Sequence, residues 1–129
     1  MSARVAVILA GAFLFAGVAA GAFGAHALRA RIAPDLLAVF ETGVRYHLVH
    51  ALGLLAVGLL ALHWPDAARG LALCAWLMAA GIVLFSGSLY VLALSGWRAF
   101  GIVTPFGGAA WLASWALLVW IAWRQGAAA

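Results

Sequence analysis

Only ten of the 129 residues carry a formal charge, and they are spaced so that long stretches between them carry none. Val5 to Phe23 contains 19 residues without a charge. As a helix rising about 1.5 Å per residue, such a run spans roughly the 30 Å hydrocarbon thickness of a bilayer. Tyr46 to Leu62 adds 17 residues, Gly70 to Trp97 adds 28, and Phe106 to Trp123 forms a last run. The pattern predicts an all-α membrane protein: four transmembrane helices in one small bundle that occupies residues 1–129 as a single domain. Composition agrees, since a chain that is 69% hydrophobic with mean hydropathy +1.18 cannot hide its apolar surface from water as a soluble domain.

The links between runs carry the polar signals. Arg4 before the first run and small residues after it resemble a cleaved signal peptide. The run is nonetheless longer than the about 7–15 residues of a signal h-region, so a retained helix is expected. Gly17 and Gly21, a Gly-xxx-Gly pair, predict close packing of this helix on a neighbour. Gly24 to Phe40 holds His26, Arg29, Arg31 and Asp35, and reads as an interfacial connector between the first and second spans. A helix from Asp35 to Leu62 would exceed the hydrocarbon thickness, so its first part is expected outside it. Ser86-Gly87-Ser88 is the expected bend or packing site of the long third run. Thr104-Pro105 reads as an N-cap followed by proline in the first turn. Trp64 and Trp123 against Trp97 mark the two membrane faces, which puts both termini on one side. Gly-Ala-Ala-Ala at the end is expected to fray.

The charge of +4 comes from seven Arg, with no Lys. They are scattered singly, which suits headgroup anchors and argues against nucleic acid as a partner. Arg4, Arg69 and Arg124 flank one face, with Arg29, Arg31, Arg45 and Arg98 at the other. The positive-inside rule therefore gives no orientation. Cys74 stands alone in an apolar run, which rules out an internal disulfide and predicts an unreactive thiol.

The residues available for chemistry gather in Phe40-Glu41-Thr42-Gly43-Val44-Arg45-Tyr46-His47-Leu48-Val49-His50. On a helical wheel Glu41 and Arg45 share one face, and Gly43, His47 and His50 share the opposite one. Glu41 and Arg45 are spaced i,i+4 in the favourable order, so the structural expectation is an ion pair where the second helix enters the bilayer. His26, Glu41, Arg45, Tyr46, His47 and His50 make up the candidate polar cluster. A cross-helix pairing of His26 with His47 or His50 is the one arrangement in which these histidines would meet from two helices. Three histidines with no Cys and few carboxylates make a poor metal set, so no metal or cofactor is expected. Neutral histidines bonding between helices are the expectation instead. Tyr90, Trp111 and Trp115 read either as core or as the wall of a cavity for an apolar ligand such as a quinone. No nucleophile triad, phosphate loop or carboxylate pair is present at motif spacing.

Four stretches in order carry a family resemblance: Gly21-Ala22-Phe23-Gly24-Ala25-His26, then Phe40 to Tyr46 with His50, then Leu84-Phe85-Ser86-Gly87-Ser88-Leu89-Tyr90, then Thr104-Pro105-Phe106-Gly107-Gly108. With these the chain resembles the small bacterial inner-membrane proteins of domain-of-unknown-function family 423, which also includes the animal transmembrane protein 256. The resemblance implies a helical protein of the bacterial inner membrane and brings no catalytic roles with it. The resulting expectation is a non-enzymatic accessory or interaction subunit, whose partners are the bilayer and another membrane protein or a second copy. The alternative is a small transport or proton-relay module using Glu41, Arg45, His47 and His50.

Overall fold

Helices occupy all four apolar runs in the computed structural model, which describes residues 1–127. Helix α1 spans Ala3–Phe23, and the Ser2 hydroxyl caps it by accepting from the Val5 amide at 3.3 Å. It passes without a break into a wider π turn, Gly24–Leu28. Helix α2, Pro34–His63, starts on a proline whose missing N–H costs a first turn nothing. Its 30 residues measure about 45 Å, half again the hydrocarbon thickness, so the Pro34 end stands out of the bilayer.

A short 3₁₀ turn, Pro65–Ala67, leads into α3, Ala68–Gly81; a second π turn, Ile82–Ser86; and α4, Gly87–Ser95. These form one 31-residue third span, Pro65–Ser95. It ends at Gly96, whose φ of +71° favours glycine and whose amide bonds to the Leu92 carbonyl at 2.8 Å. After the 3₁₀ turn Arg98–Ile102 comes α5, Thr104–Ala127. The expected frayed tail lies partly outside the described residues, at positions 128 and 129.

Two sequence expectations need correction here. The irregularity of the third span falls one step before Gly87, as the π turn, and a β-carbon on Gly87 would meet nothing within 4 Å. Gly87 is therefore not a packing residue, whereas Ser86 and Ser88 on either side are buried. The extra residue in the π turn supplies the adjustment that a bend at Gly87 was expected to give. Thr104 does begin α5, but its hydroxyl bonds to the Ser88 hydroxyl at 2.8 Å, tying the start of the fourth span to the third.

Helix α2 and the third span form the interior; α1 and α5 lie outside them. Within an 18-residue apolar stretch of each span, 39% of positions are buried in each inner span against 17% in each outer one. Helix α1 packs on α2 through glycines, as the Gly-xxx-Gly pair predicts. A β-carbon on Gly17 would stand 2.7 Å from Leu48 Cδ2 and 3.4 Å from His47 Cδ2, and one on Gly21 3.3 Å from Val44 Cγ1. Across the third and fourth spans the approach is closer still: a side chain on Gly107 would overlap the Phe85 backbone, and one on Gly81 the Trp111 indole. Leu54, Val57, Leu71, Met78, Ile82 and Trp111 fill the centre. The first residues of α1 lie beside Gly58, Ala61 and Leu71, and Trp120 and Arg124 of α5 lie beside Asp66 and Gly70. The α2–α3 turn and both ends of the described chain thus lie at one end of the bundle.

Candidate functional site

The inward face of α2 builds the polar centre. Phe40, Gly43, His47 and His50 are buried there, while Glu41 and Arg45 are exposed on the opposite side. This is the division the 3.6-residue period imposes on Glu41, Arg45 and the histidines. Gly43 is needed for it: a β-carbon would come within 2.9 Å of Tyr90 Cε1, so only glycine lets the Tyr90 ring lie across α2. The Tyr90 hydroxyl then reaches His47 Nδ1 at 3.1 Å. His47 is also met edge-on by Phe13 of α1, with ring centroids 5.7 Å apart. Its Nε2 is buried without a hydrogen-bond partner, and the Phe13 carbonyl lies near the ring without reaching bonding geometry.

His50 is held differently. Its Nδ1 takes the Tyr46 carbonyl at 2.8 Å, one turn back, which makes that nitrogen the N–H donor. The ring stacks on Trp111 of α5 at 3.6 Å between centroids, and Tyr46 stacks on Trp111 and on His50 at 5.9 and 6.0 Å. Trp111 in turn donates from Nε1 to the Met78 carbonyl at 3.2 Å, and Phe85 closes the aromatic group at 4.7 Å from Trp111. Tyr90, Trp111 and Trp115 are therefore partners of the two histidines rather than the walls of a separate cavity.

The remaining expectations about this stretch divide. Among the described residues no salt bridge joins Glu41 to Arg45. Both stand exposed near the outer end of α2, where solvation competes with an i,i+4 attraction worth only about 0.2–0.5 kcal/mol. His26 is exposed on the first π turn, and the ring partners of His47 and His50 are Phe13, Tyr46, Tyr90, Trp111 and Trp115, so the cross-helix histidine pair is not formed. Among the described residues no group of three His, Cys, Asp or Glu side chains is placed to hold a metal ion.

Phe13 as a neighbour of His47, and the orphan state of the Ser86 hydroxyl, have no signal in the sequence. Phe13 sits in a run where every position is apolar, so nothing marks it as the neighbour of a histidine. Ser86, expected as a bend or packing position, is fully buried, and its hydroxyl has no partner, which its place in the sequence does not show. It lies one turn before Tyr90 on the same face of the third span. Gly43 opposes Tyr90 and Tyr46 opposes Phe85 in this antiparallel pair, which brings His47 level with Ser86. The two orphan atoms, His47 Nε2 and Ser86 Oγ, thus share one layer of the bundle.

Comparison with known proteins relates the chain to a family. Residues 20–108 match the family described as Protein of unknown function (DUF423). The chain is 44% identical over 119 residues to the UPF0382 membrane protein YwdK of Bacillus subtilis, covering 90% of this chain and 94% of that one. It is 39% identical over 122 residues to a UPF0382 membrane protein of Staphylococcus saprophyticus, covering 90% and 94%. Against the UPF0382 inner membrane protein YgdD of Escherichia coli the identity is 38% over 126 residues, covering 92% and 89%. No solved structure matches the chain.

Proposed function

The chain belongs to the DUF423 family of membrane proteins of unknown function, and from that premise we propose that it is a non-enzymatic accessory subunit of the bacterial inner membrane. In this reading it binds another membrane protein through the outer face of α2. The observation that supports this is the separation of Glu41 and Arg45 from the histidines. Among the described residues both charges stand exposed and without an ion-pair partner, on the side of α2 opposite the histidines, followed along the helix by exposed Val49 and Leu52. A partner helix offering opposite charges would pair them, and removing both ions from water together fixes the register of the two chains.

The enclosed histidines favour the same side. His50 lies flat on Trp111 with the Tyr46 ring parallel beside the stack, and a ring so packed serves structure better than proton exchange. A transport or proton-relay module using Glu41, Arg45, His47 and His50 needs the charges and the imidazoles to communicate, and they occupy opposite faces of α2. The deciding experiment is purification from native membranes in mild detergent, comparing wild type with Glu41→Gln and Arg45→Met. A stoichiometric companion lost from both variants supports the proposal. Self-association lost in the same variants would redirect it to a second copy, and identical monomers throughout would refute it.

A further inference from the structure

Helix α1 and the third span leave between them a lipid-facing hollow of about 460 Å³, lined by Leu9, Phe13, Trp76, Ala80, Val83 and Leu84. Its wall is entirely apolar, yet it shares two elements with the polar layer behind it. Phe13 lines the hollow and meets the His47 ring edge-on. Val83 and Leu84 belong to the π turn that also carries Ser86. The elements that form this apolar wall thus also adjoin two buried hydrogen-bonding atoms, His47 Nε2 next to Phe13 and Ser86 Oγ on the π turn, that nothing in the described chain satisfies. An unsatisfied buried polar group is costly, and in hydrocarbon no water is at hand to relieve it.

From this juxtaposition we infer that the hollow binds a membrane-soluble molecule with a neutral, hydrogen-bond-accepting carbonyl head and an aliphatic tail, of the isoprenoid quinone class. The tail lies along Trp76, Ala80 and Val83. The head enters past the Phe13 ring, which swings aside, and accepts from the Ser86 hydroxyl and from His47 Nε2–H while the Tyr90 hydroxyl donates to His47 Nδ1. Depth selects the head. Along the α1 axis Phe13 lies about 15 Å from Ala3 and about 22 Å from Leu28, far from either headgroup layer. A charged or phosphorylated head is too expensive there, whereas a quinone carbonyl carries no charge. No redox step is implied; the interaction is binding alone, and it is independent of the outer face of α2.

The test uses the full chain in phosphatidylcholine nanodiscs, titrated with decylubiquinone. The signal is quenching of the indole emission that disappears in Trp76→Phe. Saturable quenching is expected. Ser86→Ala removes a hydroxyl that supports nothing else and should weaken apparent affinity by about five- to tenfold, the effect of one lost hydrogen bond. Ala80→Trp, at an exposed lining position, fills the hollow and should abolish saturation. Decylbenzene, with the same tail and no carbonyl, should not displace the quinone. Linear quenching in wild type, indifference to both substitutions, or equal displacement by decylbenzene would each overturn the inference.

Discussion

The imidazole of His50 lies flat on the indole of Trp111, with planes 6° from parallel and centroids 3.6 Å apart. The contact joins α2 to α5, and the indole N–H carries the connection on to the third span at Met78. Gly81 provides the space for the indole, since any side chain there would overlap it. One aromatic residue thus holds three spans, in a setting where lipid offers apolar contacts as good as those inside and packing geometry decides association.

Trp111→Ala should accordingly be among the most damaging single changes, costing about 3–5 kcal/mol as for other buried aromatic truncations. His50→Gln should cost less, and the cycle combining the two should show a coupling of about 0.5–1.5 kcal/mol for the stacked pair. Reversible unfolding in a fixed detergent mixture measures all three. Additive losses would mean that the stack contributes no more than its buried area.

The glycines of the third and fourth spans should separate by what lies opposite them. Gly107→Ala drives a methyl into the Phe85 backbone, which cannot rotate away, and a loss of about 1–3 kcal/mol is expected. Gly87→Ala points into open space from a helical residue and should be neutral or stabilising by about 0.4–1 kcal/mol. Melting temperatures of the two variants moving in the same direction would contradict this contrast.

Cys74 and Ser114 exchange reciprocal bonds between α3 and α5: the thiol donates to the Ser114 carbonyl at 3.6 Å, and the Ser114 hydroxyl to the Cys74 carbonyl at 3.0 Å. Both side chains are fully buried. Maleimide should therefore leave Cys74 unmodified in intact membranes and label it only on unfolding. Ser114→Ala should cost about 0.6 kcal/mol, the average for interhelical bonds in membranes. Rapid labelling of the native protein would place water at α3 and contradict the packing.

The spans were legible because charge is too costly within hydrocarbon to be placed at random, so ten charged residues outline the four runs. The inward direction of His47 and His50 was equally readable, since 100° per residue puts them opposite Glu41 and Arg45. Gly17 and Gly21 announced their contact because only small residues permit it. Phe13 gave no sign of its role, because in a helix apolar on every side the pattern cannot separate a lipid-facing ring from one that touches a buried histidine. Ser86 was visible as a helix-weakening residue but not as an orphan donor, which depends on its register against His47. The spacing of Glu41 and Arg45 established that they could meet and said nothing about whether solvation would keep them apart.

That last pair yields the sharpest mutational test. A buried or tightly bonded ion pair would strand one charge when the other is removed, so the two single losses would exceed the loss in the double variant. Here the side chains are exposed and unbonded, so Glu41→Gln and Arg45→Met should each change stability by no more than about 0.5 kcal/mol. The double variant should equal their sum within about 0.5 kcal/mol. The same variants should impair association with the partner proposed for the outer face of α2, because there each charge meets a group on another chain. Thermal stability of the purified protein reads the first effect, and recovery of the companion reads the second. A coupling well above the additive limit would restore the ion pair to α2 itself and remove the two charges from the proposed interface.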